Sequence, residues 1–195
     1  MKHYLLFETV FGTCGMLWQD HGVVRTQLPE PSQERLLAAL LADAEGVAAH
    51  QPPSWISSAV GAIQRHLEGA GQDLSEVPVD LHDGSPFALK VYGELRRVRS
   101  GCTVTYGDLA AAVGAPGAAR AVGRVLGKNP VPLIIPCHRV LASGGKLRGF
   151  SASGGIATQA RLLEIEGVTV PAVSGRGAAP GRFRPDRMGP GDLTL

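Results

Sequence analysis

Of the three cysteines in the sequence, Cys137 alone has neighbours suited to making it reactive: Pro136 precedes it, and His138 and Arg139 follow. A free thiol has a pKa of roughly 8.5, so only a few per cent is thiolate at neutral pH, and a cysteine nucleophile needs a nearby base or positive charge. His138 and Arg139 are residue types that supply both. Consecutive residues on a strand point to opposite faces, so a working Cys137–His138 pair requires a turn or an intervening water. A third group should orient the imidazole, and Glu166 is the candidate. It follows Leu162 and Leu163 by four and three positions, which aims its side chain toward the buried side of the last helix. A carboxylate there is costly unless paired. Against this stand two plainer readings: a free cysteine is ordinarily a small buried hydrophobe, and Glu166 would be a solvated helix-end residue like Glu164. The residues by themselves leave both open.

Cys14 and Cys102 lack such company and read as structural thiols. No CxxC pair occurs, and three scattered cysteines make no disulfide framework. His3, Cys14 and His21 are too loosely spaced for a convincing metal site. The zinc-deaminase pattern is absent, because no second cysteine stands three residues after Cys137. The expectation is no metal.

The elements that must position Cys137 fall into two parts. Residues 3–10, 13–19 and 22–28 read as short strands broken at Phe11-Gly12 and Asp20-His21-Gly22, an antiparallel meander. Ser32 caps a predicted helix carrying Leu36, Leu37, Leu40 and Leu41. Ser54 caps another on which Ile56, Val60, Ile63 and Leu67 recur. A short strand and linker close this part near Pro86. The division is therefore an acidic N-terminal α/β domain over 1–85, a C-terminal domain over 86–170, and a Gly/Pro-rich flexible tail over 171–195. Formal charge follows it: residues 1–85 carry −7, residues 86–167 carry +7 and the rest +2. A basic block beside an acidic one suggests a module that faces an anion such as a phosphate backbone.

In the second part, Phe87, Val91, Tyr92, Leu95 and Val98 mark an amphipathic helix whose other face carries Lys90, Arg96, Arg97 and Arg99. Thr105 and Asp108 form the start of a capping box for a helix running to Ala112 or Val113. Gly114-Ala115-Pro116-Gly117 forces a turn, and a second helix spans about 118–127 with Arg120, Arg124 and Lys128 on or just after it. Helix, tight turn and short basic helix make a helix-turn-helix pattern. Two short strands joined by Ala142–Gly145 would form a wing, and a last helix over 154–167 would bury Ile156, Ala160 and Leu163. The fold class expected is α+β: a small antiparallel sheet with helices, then a mostly helical winged helix-turn-helix domain.

The segment TYGDLAAAVGAPGAARAVGRVLGKNPVPLIIPCHRVLASGGKLRGF, with LLEIEG beyond it, closely resembles the O6-alkylguanine-DNA alkyltransferases, also called methylated-DNA-protein-cysteine methyltransferases. The resemblance covers about residues 86–168, and its core is PCHRV with AARAVG and GKNP upstream. Residues 1–85 match the family's variable N-terminal domain in layout. The resemblance implies that Cys137 accepts the alkyl group from O6 of guanine, or O4 of thymine, in one irreversible turnover. His138 would take the thiol proton through a bound water and Glu166 would hold the imidazole, while Asn129 would tie the helix-turn-helix to the active-site turn. The target base must leave the duplex stack, at a cost of about a few kcal/mol. By resemblance Arg120 fills the gap, Tyr106 contacts the flipped base and crowds its phosphate, and the second helix enters the minor groove. Arg124 and Lys128, with Arg96 and Arg97, would neutralise phosphates. Val140 and Ser151 would bind guanine through backbone groups, with Leu126, Pro132 and Phe150 as walls.

Three departures stand out: Phe150 where many relatives have tyrosine, Ala152-Ser153 as an apparent extension, and Arg99 in place of a common proline. No cofactor is implied, and the partner would be double-stranded DNA carrying alkylated bases. With 44% hydrophobic residues and 18% charged, the 195-residue chain is ordinary for a globular protein. It shows no membrane span and no secretory h-region, so a cytoplasmic monomer is expected. The competing readings are an alkyltransferase-like protein that binds lesions without transfer, and a helix-turn-helix regulator. The first kind lacks the acceptor cysteine; the second would need a dimerisation or effector segment, which is not evident.

Overall fold

The computed structural model describes residues 1–42, 44–81 and 84–169. The predicted tail at 171–195 lies outside them. Short turns at Gly12 and Gly22 fold strands β1 (His3–Thr9), β2 (Gly12–Gln19) and β3 (Gly22–Gln27) into the expected meander. Helix α1 (Gln33–Leu40) follows, then a two-residue strand β4 (Val47–Ala48) that pairs parallel with β1, giving the order β3-β2-β1-β4. Sequence reading gave no sign of β4, whose two residues are exposed. Helix α2 (Ser54–Arg65) runs into a π-type turn, His66–Ala70.

Ser32 caps α1 as expected, accepting from the Arg35 N–H at 3.3 Å. Ser54 does not cap α2: it is the first helical residue, Pro53 takes the cap position, and no side-chain cap bond forms. Gly22 has a steric reason to be glycine. A Cβ there would lie 2.9 Å from the Pro78 carbonyl group, where the chain returns to pair Val23 with Val79.

The second half begins with α3 (Pro86–Arg96), capped by Ser85 with Pro86 in the first turn. Strand β5 (Val104–Thr105) leads into α4 (Tyr106–Ala112), whose capping box between Thr105 and Asp108 is complete. Helix α5 (Ala119–Leu126) completes the helix-turn-helix. The expected wing hairpin keeps one strand. β6 (Val140–Leu141) pairs with β5 in parallel, and after a 3₁₀ turn at Ser143–Gly145 the chain forms no strand. Gly144 and Gly145, both with positive φ, form the turn, and the Ala142 N–H donates to Lys146 O at 2.9 Å across it.

Helix α6 (Gly155–Ile165) buries Gln159, Leu162 and Leu163, whereas Ile156 is 44% exposed. Leu163 is buried as expected, and the buried face turns toward Leu162 and Gln159, whose amide is satisfied by backbone carbonyls, rather than toward Ile156. Arg96 was also misplaced. Its guanidinium is half-buried and donates to the carbonyls of Ser75 and Val77, binding α3 to the N-terminal half rather than presenting charge to solvent.

Sheet and helical half share one apolar interior. A continuous cluster runs from Phe7, Met16 and Trp18 through Ile56 and Ile63 to Tyr92, Leu109, Val122, Ile135 and Leu162. Burying a side chain of this size is worth about 1.5–3 kcal/mol, so the interior fixes how the halves meet. Among the described residues no helix is long and apolar enough to cross a membrane.

Candidate active site

The chain reaches Cys137 through a stiff loop. Asn129 and Pro130 follow α5, and the Ile135 N–H donates to Val131 O at 2.9 Å, closing a tight turn. Leu133 within it has φ of 74°, a left-handed conformation costing a leucine of order 1–2 kcal/mol, and it is held there by burial. Thr26 at the end of β3 supports the loop from the other half: its N–H donates to Pro130 O at 3.0 Å and its hydroxyl to Pro132 O at 2.7 Å. Cys137 then starts a single 3₁₀ turn, Cys137–Arg139, so the Cys-His pair sits in the turn that its chemistry required.

Asn129 is the hub of the loop. Its Nδ2 donates to Ile135 O at 2.8 Å and to Cys137 Sγ at 3.2 Å, while its Oδ1 accepts from the Val131 N–H at 3.1 Å. The thiol is 7% exposed. Burial pushes it up to about 11, opposed by the Asn129 hydrogen bond and by backbone N–H groups of the turn. At neutral pH the resting group is therefore the thiol, and attack needs a base.

His138 is fully buried, and burial holds its imidazole below the usual range, against the pull of Glu166. Nε2 lies 2.8 Å from Glu166 Oε1, which fixes the proton on Nε2 and leaves the Nδ1 lone pair unshared by any described protein group. Gln159 secures the turn from α6, donating to the carbonyls of His138 and Val140 at 3.1 Å each. Glu166 caps α6 with its side chain completely buried. Burial would raise its carboxyl, but hydrogen bonds from His138, His66 and Arg139 hold it well below the ordinary carboxylate range.

Two residues depart from the expected roles. Arg139 does not serve the thiol: its guanidinium clasps Glu166 through Nε and Nη2 and donates to Val98 O through Nη1. His66 was not foreseen as a site residue; its Nε2 reaches Glu166 Oε1 at 3.0 Å. His66 lies three residues after buried Ile63 and Gln159 three before buried Leu162, so helical spacing held a signal for both. Thr26 gave no such signal.

His66, His138 and Glu166 form a set of ligand-type atoms lying within 4.8 Å of one another. They do not fit a metal ion. The carboxylate oxygen already accepts from both imidazoles, and the Arg139 guanidinium bonded to it repels a cation. Among the described residues His3, Cys14 and His21 form no such set.

Cys137 lies at the meeting of two cavities. One, a narrow cleft, is lined by Tyr106, Gly123, Leu126, Phe150, Ser151 and Gln159. The other, about 790 Å³ and open to solvent, lies against β3 and α1, with Arg25, Thr26, Lys128, Asn129 and Pro132 on its walls. Tyr106 hangs over the first, its hydroxyl 3.3 Å from Arg148 O. Val140 lines neither; it pairs with Val104, and its carbonyl accepts from Gln159. Arg120, Arg124 and Lys128 are exposed on or just beyond α5.

The family model for the 6-O-methylguanine DNA methyltransferase DNA-binding domain matches residues 86–168. A methylated-DNA–protein-cysteine methyltransferase of Mycobacterium bovis is 41% identical over 121 residues, which cover 62% of this chain and 70% of that protein. The chain belongs to the methylated-DNA–protein-cysteine methyltransferases. Another family member, from Metallosphaera sedula, is 42% identical over 113 residues, covering 57% of this chain and 69% of its own. Among solved structures, Mycobacterium tuberculosis OGT in complex with DNA superposes with a TM-score of 0.67 at 31% identity, over 85% of this chain and 93% of that one. The O6-methylguanine-DNA methyltransferase of Pyrococcus kodakaraensis gives 0.62 at 28%, over 86% and 100%. These superpositions reach beyond residues 86–168, so the methyltransferase fold includes the acidic N-terminal half.

Proposed function

We propose that this methyltransferase repairs alkylated duplex DNA by moving the alkyl group from O6 of guanine to its own Cys137. His138 takes the thiol proton at Nδ1, through one water, while Glu166 holds the imidazole by Nε2. The sulfur attacks the alkyl carbon, an S–C bond forms, the C–O bond breaks, and the base leaves with the electron pair on O6. The product thioether is a very poor leaving group, so each molecule acts once. The observation that carries this reading is the buried Cys137–Asn129 contact at the floor of a cavity walled by Tyr106 and Phe150, beside a histidine with a free ring nitrogen.

The remaining roles rest on placement. Arg120, exposed at the start of α5, would enter the stack in place of the flipped nucleotide, with Arg124 and Lys128 on phosphates. Leu126, Phe150 and Ser151 would enclose the base and Pro132 the alkyl group, whereas Val140, buried and outside both cavities, is given no part in holding the base. Residues 1–85 would serve as the support and 86–170 as the transferring, DNA-contacting part. All of these groups belong to a single chain, so no second copy is needed to complete the site.

The deciding experiment is incubation with duplex DNA bearing radiolabelled O6-methylguanine. One equivalent of label on the Cys137 peptide, absent from Cys137→Ser, is expected. DNA binding without any label transfer would instead favour an alkyltransferase-like lesion binder.

A further inference from the structure

Glu166 is a shared carboxylate, and one of its donors comes from the other half of the chain. His66 stands where α2 widens into the π-type turn, with Nε2 3.0 Å from Glu166 Oε1 and Nδ1 3.1 Å from Gln72 O. The two side chains are 1% and 0% exposed. Both partners are pure acceptors, so His66 completes both hydrogen bonds only when each ring nitrogen carries a proton. The same Oε1 receives His138 Nε2 at 2.8 Å and Arg139 Nη2 at 2.8 Å. One oxygen thus serves three cationic or potentially cationic donors.

We propose that His66 is a positioning residue of the transfer reaction, which acts through Glu166 to limit how strongly that carboxylate holds a proton on His138. This inference rests on the transfer reading above. The reasoning is electrostatic. An imidazole paired with an unshared buried carboxylate is drawn toward the imidazolium form, which has no lone pair to receive the thiol proton. The charged groups facing His138 are Glu166, Arg139 and His66. Glu166 favours the protonated ring, and the other two oppose it. Arg139 is fixed by Glu166 and Val98 O, which leaves His66 as the donor that links the N-terminal half to this balance. A purely structural His66 would hold α2 against α6 and leave the titration of His138 untouched.

The test uses the full chain and the variants His66→Leu and His66→Gln. Ring-proton NMR follows the titration of His138, and single-turnover methyl transfer from duplex O6-methylguanine is measured between pH 5.5 and 9. With His66→Leu, the His138 midpoint and the acidic limb of the rate profile should both move to higher pH. Transfer at pH 6 should fall by at least about fivefold while the rate at pH 9 stays within about twofold of the parent, a tenfold change corresponding to one pH unit. His66→Gln keeps a neutral donor to Glu166 and removes the titratable ring, so it should recover thermal stability yet keep a displaced midpoint. It also decides the matter should the leucine variant fail to fold. A His138 midpoint and acidic limb that coincide with the parent in the folded variants, whatever their melting temperatures, overturn the inference. A displaced midpoint in a protein whose parent form transfers no methyl group counts against the proposed function and supports the link from His66 to His138.

Discussion

Replacing Glu166 with glutamine removes the one negative charge from a sealed site holding two imidazoles and a guanidinium. Arg139 Nε lies 3.1 and 3.0 Å from the two carboxylate oxygens, so the new amide N–H₂ must face a donor. The guanidinium, 8% exposed, then keeps its charge without its partner. Breaking a buried pair in this way costs about 3–5 kcal/mol, a large share of the roughly 5–15 kcal/mol that holds a domain folded. For a chain of this size it should lower the melting temperature by about 6–20 °C. Urea titration at pH 7.5 measures the loss directly, and repeating it toward acid tests the cause. The native carboxyl lies below its unfolded value of about 4.3, so its contribution is fully present above that pH and is lost as pH falls toward the native value. The gap between parent and Glu166→Gln should hold steady from pH 8 to about 6.5, above the range in which His138 titrates, and the loss of the ionised carboxylate should shrink it below about 4.3 by up to 1.4 kcal/mol per pH unit. A variant within about 1 kcal/mol of the parent at pH 7.5, or a gap that does not shrink below about pH 4, would refute the reasoning.

Other outcomes follow from the same geometry. Asn129→Ala removes the side-chain donor to Sγ, so the thiol should rise beyond about 11 and methyl transfer at pH 7.5 should slow by about tenfold or more; the pH dependence of Cys137 alkylation checks the cause. Arg120→Ala should slow repair in duplex DNA while reaction with free O6-alkylguanine base stays within about twofold; equal losses on both substrates would remove Arg120 from the flipping step. Arg124→Ala and Lys128→Ala should each reduce the slope of log affinity against log salt by about 1, whereas Arg96→Ala should lower stability and leave that slope alone.

What was legible in the sequence follows from how local the signals are. The meander, the Thr105–Asp108 capping box and the helix-turn-helix depend on residues within a few positions of one another, and all are present. The burial of Glu166 is partly legible because Leu162 and Leu163 mark the buried side of its helix, although its contact with His138 spans 28 residues. His66, which meets the same carboxylate across 100 residues, carried only the weak mark of its spacing from Ile63. Arg96 shows the opposite failure. A run of basic residues reads as a solvated, anion-facing surface, but the Arg96 guanidinium donates to two carbonyls of the other half, and Arg139, expected beside the thiol, likewise turns to a carboxylate and a carbonyl inside the protein. Burial of that kind is decided by tertiary packing, which leaves no local pattern.

The grip of Thr26 on two prolyl carbonyls has a consequence for how the chain divides. Pro130 and Pro132 flank Val131, and both turn their oxygens toward a strand made before any catalytic residue is synthesised. A fragment starting at Pro86 would keep the cysteine, its histidine and every DNA-facing arginine, yet the segment carrying the sulfur would lose its floor and Glu166 would lose a donor. The acidic half is thus the jig in which the nucleophile is set, and its sequence is free to vary only where it does not touch that seam.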